Sequence, residues 1–223
     1  MLTKPYIVRF KSLPAETPFA PEWNYAMFES VINNINFDNL ENLILSKENE
    51  ILHLPNTIRE QKVSDGYTGL GESSTTARFD KYNVLKWQHA EIEKIKENIL
   101  YYHDLFLSRL EISSPKELYI QCWVNIMRKG EQIKPHIHSV KPDSYLGGHI
   151  CVKSNNTATN YINPVNQIND PEIYSSKNKV GKFTLFQNCI PHFTDVHNGE
   201  NERITIAFDL SLTKYNDNFL QIR

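Results

Sequence analysis

From Glu117 to Leu212 the chain reads as a succession of short β-prone runs separated by turns, with no helical spacing between them. ELYIQCWVNIM alternates and closes on a turn at Gly130. YLGGHICVK and TATNYIN follow, then VGKFTLFQ, which ends at a Pro-His corner, and finally the clean alternation of RITIAFDLSL. Parallel strands need long crossovers, usually helices, so short strands this close together pair antiparallel. The pattern predicts a mainly β sandwich or jelly roll.

The first half reads differently. QHAEIEKIKENILYYHDLFLSRL (88–110) places Ile92, Ile95, Ile99, Leu105 and Leu110 at helical steps with charges between them, which predicts a helix. PEWNYAMFESVINNI (21–35) follows a proline with apolar residues at helical spacing, which suits a helix start. The stretch 56–87 carries Gly66, Gly69 and Gly71 and then a β-prone run, which predicts a loop feeding a strand. The expected plan is one domain over 1–223: a mixed α/β elaboration over 1–116, its helices packed on one sheet, and a jelly-roll core over 117–213.

Composition narrows the function classes. The chain is 40% hydrophobic and 22% charged, with a formal net charge of -2. It can bury a core, and it lacks the basic excess that nucleic-acid or membrane-surface binding uses. Its three cysteines, Cys122, Cys151 and Cys189, are widely spaced among apolar neighbours and read as buried thiols. The opening MLTKPYIVRFKSLP lacks the apolar stretch of a signal peptide, which points to a soluble, cytoplasmic protein.

The histidines are unevenly spread. His136 and His138 stand two apart after a strand and turn, so on an extended segment both imidazoles point to one side. An HxH pair alone is weak, because many such pairs are solvated. Here a third histidine, His192, ends a strand, and Arg203 begins the last strand eleven positions later. In a jelly roll, late strands run beside early ones. His192 can then join His136 and His138 around one metal, leaving positions open for substrate and dioxygen, as in a facial iron site. Arg203 shares a strand face with Thr205 and Ala207, opposite Ile204, Ile206 and Phe208. A permanently charged fork beside a hydroxyl suits the carboxylate of a small diacid. The competing reading is a surface pair of Arg203 with Glu200 or Glu202.

Gln121, Trp123, Asn125 and Met127 share another strand face, with Cys122, Val124 and Ile126 on the opposite one. Polar groups facing inward need partners, which makes Gln121 and Asn125 candidates for the co-substrate pocket. His149 reads as a satisfied core or surface histidine and His197 as a loop residue. His53, His89 and His103 read as structural or solvated.

The motifs WVNIMRKGEQIKPHIH, YLGGHICVK, NYINP and GKFTLFQNCIPHFTDVHNGENERITIAFDL, in this order, resemble 2-oxoglutarate- and Fe(II)-dependent oxygenases related to prolyl hydroxylases. The resemblance covers roughly residues 119–212. GYTGLGESSTTARFDKYNVL looks like part of phage-encoded and bacterial relatives. The resemblance implies a double-stranded β-helix, His136 and His192 as first and last metal ligands, and Arg203 with Thr205 for the far carboxylate of 2-oxoglutarate. It implies a hydroxylase of an unidentified substrate, such as a protein or peptide side chain, with Fe(II), 2-oxoglutarate and dioxygen as partners.

One departure stands out: His138 occupies the place where the wider superfamily carries Asp or Glu. A neutral imidazole there leaves the site about one charge more positive. Asp143, just beyond, is the alternative carboxylate. Two other readings stay open, a non-catalytic cupin-like metal or ligand module and a tri-His dioxygenase that does not use 2-oxoglutarate. The DGYTGLGESS loop and the 165–180 connection are expected as lids.

Overall fold

The computed structural model describes residues 4–56, 68–163 and 172–223. The lid expectations at 65–67 and 165–171, and Gly66 with them, lie outside the described residues. Strands β1 (Tyr6–Lys11) and β2 (Asn24–Val31) precede helix α1 (Phe37–Leu52). Two short 3-10 turns (Thr75–Arg78 and Val84–Lys86) lead into helix α2 (Ala90–Arg109). Then come β3 (Tyr119–Met127), β4 (Leu146–Lys153), β5 (Ala158–Asn163), β6 (Glu172–Lys177), β7 (Lys182–Gln187), β8 (His192–Thr194), β9 (Arg203–Ser211) and β10 (Leu220–Gln221).

Two antiparallel sheets face each other. The larger has the order β1-β2-β7-β4-β9-β3-β10 and the smaller β6-β5-β8. This is the expected double-stranded β-helix, with the larger sheet extended by two strands from the N-terminal half. In β9, Ile204, Ile206 and Phe208 pack into the main apolar core with Leu40 and Ile44 of α1 and Ile92, Ile95, Ile99 and Phe106 of α2. The other face of β9 looks between the sheets. Both helices therefore cover one face of the larger sheet, and the site lies against the opposite face.

The helices start where their caps dictate. The Asn36 side chain accepts from the Asn39 N–H (3.0 Å) at the start of α1, and His89 Nδ1 accepts from the Glu91 N–H (3.2 Å) at the start of α2. Glu91 also accepts from the Asn36 N–H (2.9 Å), tying one helix start to the other. No described helix is long and apolar enough to cross a membrane.

Three sequence expectations need correction. Residues 24–31 form β2, not a helix. Ala26 and Phe28 face the main core while Met27 enters a second core with Phe10, Tyr161, Phe186 and Ile190. A strand buried on both faces reads as an unbroken apolar run, which helical spacing also fits. Described residues 68–87 hold 3-10 turns and no strand. Their Thr75 and Thr76 hydroxyls bond the Val124 carbonyl (2.8 Å) and Asn125 Oδ1 (2.6 Å), so the segment is fastened across β3 by side chains rather than by a ladder. Finally, 172–177 of the expected lid is β6, paired residue for residue with β5.

Candidate metal centre

His192 opens β8, and the segment carrying His136 lies antiparallel beside it. The two residues exchange both backbone hydrogen bonds (3.1 and 3.0 Å). His138 is held by its own N–H on the Asn188 carbonyl (2.9 Å). One ring nitrogen from each of His136, His138 and His192 falls within 4.8 Å of the others. The three residues singled out by spacing thus meet at one point.

Their Nδ1 atoms are all engaged: His136 with the Lys134 carbonyl (2.8 Å), His192 with the Ile190 carbonyl (3.0 Å) and His138 with Asp209 Oδ1 (2.5 Å). A carbonyl or carboxylate only accepts, so each Nδ1 carries the proton and each Nε2 keeps its lone pair. Fixing the remote nitrogen this way is how protein metal sites orient imidazoles. Burial and the two neighbouring imidazoles hold His192 well below the usual histidine range, so it stays neutral, as a ligand must. The donor set fits a divalent transition metal.

Beside the histidines is a cavity of ≈ 380 Å³. Its wall includes Trp123, Asn125, His149, Thr159, Arg203 and Thr205. Arg203 is 2% exposed. Its Nη1 reaches only the Met127 thioether (3.0 Å), a weak acceptor, and its Nη2 the Thr159 hydroxyl (3.3 Å). Its Nε has no partner among the described residues, and no described carboxylate forms an ion pair with it. Burial draws the guanidinium below its usual range. Glu200 and Glu202, the surface partners of the competing reading, pair instead with Lys129 and Lys153.

Two further buried nitrogens on the same wall lack partners among the described residues, Trp123 Nε1 and His149 Nε2. Native interiors leave few such groups unsatisfied, so three around one cavity point to a polar ligand. His149 therefore departs from expectation, since it is buried yet faces the cavity. Desolvation and Arg203 push it down to about 3, so it is neutral.

Other candidates fall elsewhere. Asn125 lines the cavity, held by Thr76. Gln121 does not line it. Its amide donates to the Phe79 (2.7 Å) and Tyr82 (2.5 Å) carbonyls and pins the 3-10 segment to β3. Asp143 accepts from the Tyr215 hydroxyl (2.7 Å) and is outside the histidine cluster. His197 is on a loop and fully buried. Cys122 and Cys151 are buried, while Cys189 is half-buried. Sequence reasoning passed over Asp209, Thr159 and Trp123. The signal for Asp209 was present, since it continues the alternate face of Arg203, Thr205 and Ala207.

Residues 121–209 match a family model described as "Putative 2OG-Fe(II) oxygenase". No curated protein matches the chain by sequence. Among solved structures, a Trichoplax adhaerens prolyl hydroxylase in complex with a hypoxia inducible factor peptide fragment is similar at 12% identity. The match covers 82% of this chain and 83% of that one, with a TM-score of 0.53. AviO1 from Streptomyces viridochromogenes Tue57 is similar at 12% identity over 82% and 89% of the chains (TM-score 0.52). The non-heme alpha ketoglutarate dependent epimerase SnoN of nogalamycin biosynthesis matches at 10% identity over 88% and 91% (TM-score 0.52). At these identities the likeness establishes the fold.

Proposed function

We propose, from the match of residues 121–209 to the 2-oxoglutarate–Fe(II) oxygenase model, that this chain is an oxygenase of that kind and hydroxylates a C–H bond of its substrate. The observation that carries the reading is Arg203, a cation buried in the cavity wall beside three convergent histidines, with no described carboxylate in ion-pair contact and Asp195 acting on it only through its field. Burying an unpaired charge costs several kcal/mol, roughly, so such a site is completed by an anion.

His136, His138 and His192 would hold iron through Nε2. When bound, iron supplies the activation of dioxygen, with 2-oxoglutarate oxidised to succinate and carbon dioxide. The chain's own residues do the rest. Arg203 and Thr205 bind the far carboxylate, with the Thr159 hydroxyl already on Arg203 Nη2 and orienting the fork. Thr159 pairs with Thr194, two residues beyond His192, and Arg203, Thr205 and the three histidines all line the one cavity, as a short diacid bound at both would require. Trp123 and Phe186 wall the cavity and exclude water. Ile137, half-exposed on the rim between two ligands, is where the prime substrate would enter.

The test is release of succinate from 2-oxoglutarate with added Fe(II), with calorimetry of 2-oxoglutarate binding to metal-loaded protein. No binding and no turnover would overturn the reading. The all-histidine donor set favours one second reading, a tri-His dioxygenase in which Arg203 holds the substrate's own carboxylate. Oxygen consumption that needs no 2-oxoglutarate would establish it.

A further inference from the structure

Among the described residues, Asp209 is the only carboxylate that lines the cavity. It projects from the same face of β9 as Arg203, at the opposite end. Its one described side-chain partner is His138 Nδ1, and no described lysine or arginine pairs with it. A partly buried carboxylate with no basic partner is costly to keep for folding alone. His136 and His192 donate to neutral backbone carbonyls, whereas His138 donates to a full negative charge.

The surrounding chain makes room for this pair. Gly147 stands opposite Asp209 in the register of β4 and β9. A Cβ there would lie 2.8 Å from His138 Nδ1, 2.7 Å from Asn188 Oδ1 and 3.0 Å from the Phe186 ring. The His138–Asp209 contact thus occupies space that only glycine leaves open.

We infer that Asp209 is a positioning residue that supplies, through the His138 ring, the negative charge an all-imidazole metal site lacks. The inference rests on the proposed metal centre and deepens it. A hydrogen bond from Nδ1–H to a carboxylate raises the basicity of Nε2 and fixes the ring. The formal charges then close. A divalent metal and Arg203 bring three positive charges, and a dicarboxylate co-substrate and Asp209 bring three negative ones. Without Asp209 the filled cavity keeps an uncompensated charge at low dielectric.

The experiment measures Co(II) binding, read from visible absorption, with neither co-substrate nor turnover. It uses wild type, Asp209→Asn, Asp209→Ala, His138→Ala and the double variant His138→Ala/Asp209→Ala. Circular dichroism confirms the fold of each, and the near-isosteric Asp209→Asn guards against a folding defect in Asp209→Ala. Asp209→Ala should weaken Co(II) about 10- to 100-fold and change the absorption band. Asp209→Asn can still accept from Nδ1–H, so it should keep the band and weaken binding about tenfold. In the His138→Ala background, loss of Asp209 should cost almost nothing more, because its effect travels through that ring. Unchanged affinity in both Asp209 variants would overturn the inference while leaving the metal centre standing. An equal loss with and without His138 would overturn it too. Failure of the wild type to bind Co(II) would instead bring down the metal centre itself.

Discussion

His136 and His192 are cross-strand partners that exchange both backbone hydrogen bonds, and their rings lie 4.3 Å apart between centroids. Two of the three candidate ligands are therefore placed by ladder geometry rather than by loop conformation. Residues so paired keep their side chains on one side of the sheet. Binding of Co(II) or Fe(II) at a hundredfold excess over Kd should stabilise the folded protein by about 2.7 kcal/mol. A thermal melt that rises with metal and falls with chelator checks this. His192→Ala should sharply reduce the rise at the same metal concentration.

Replacing Arg203 by methionine should leave the metal-free protein as stable or more so, by about 1–4 kcal/mol, because an unpaired buried charge is exchanged for apolar packing. The same variant should lose 2-oxoglutarate binding in calorimetry. Loss of stability together with retained binding would contradict the role given to Arg203.

Neighbouring glycines of β4 should behave differently. Gly147→Ala meets the His138 ring and the Asn188 amide, both side-chain groups. It should fold, and it should weaken metal about tenfold by turning the ring. Gly148→Ala places its Cβ 2.4 Å from Phe208 and 2.6 Å from the Thr184 backbone oxygen, with Phe208 fully buried. It should lower stability by about 1–3 kcal/mol through overpacking. Urea melts and metal titrations of the two variants separate these outcomes.

The pH dependence of the metal-free protein should carry the mark of His149. Its folded value is pushed down to about 3, so the native state holds the ring neutral. The unfolded chain takes up a proton near pH 6.5, roughly the ordinary histidine value. Stability is therefore lost as pH falls below that value and continues to fall toward about 3. Between pH 7.5 and 5.5 the loss from this one residue should be about 1.4 kcal/mol. His149→Phe should flatten the profile by that amount, read from urea midpoints at the two pH values.

Strands β3, β4, β7 and β9 were legible because one face of each packs into the helix-covered core and the other lines the cavity or the second core. β9 shows this best, with Ile204, Ile206 and Phe208 against Arg203, Thr205, Ala207 and Asp209. β2 was illegible because Ala26, Met27 and Phe28 are consecutive apolar residues buried in two different cores, so no polar alternation marks a period of two in the sequence. Helix α1 went unread because its buried positions, Leu40, Ile44 and Ile51, are diluted by polar residues. The histidines and Arg203 could be read from order and spacing. The Asp209 contact could not, since it depends on how far the segment after β3 reaches across the end of β9.

The two-sided character of β9 divides what selection or a mutant library can explore there. Changes at 203, 205, 207 and 209 alter what the cavity holds while leaving the helix-packed layer intact. Changes at 204, 206 and 208 act on folding alone. A library confined to the odd positions should yield folded variants with altered ligand preference. Slipping the strand by one residue would exchange the two sets and lose both. The ladder with β3 and β4 that holds this register is thus also what allows new chemistry to be sampled without a cost in structure.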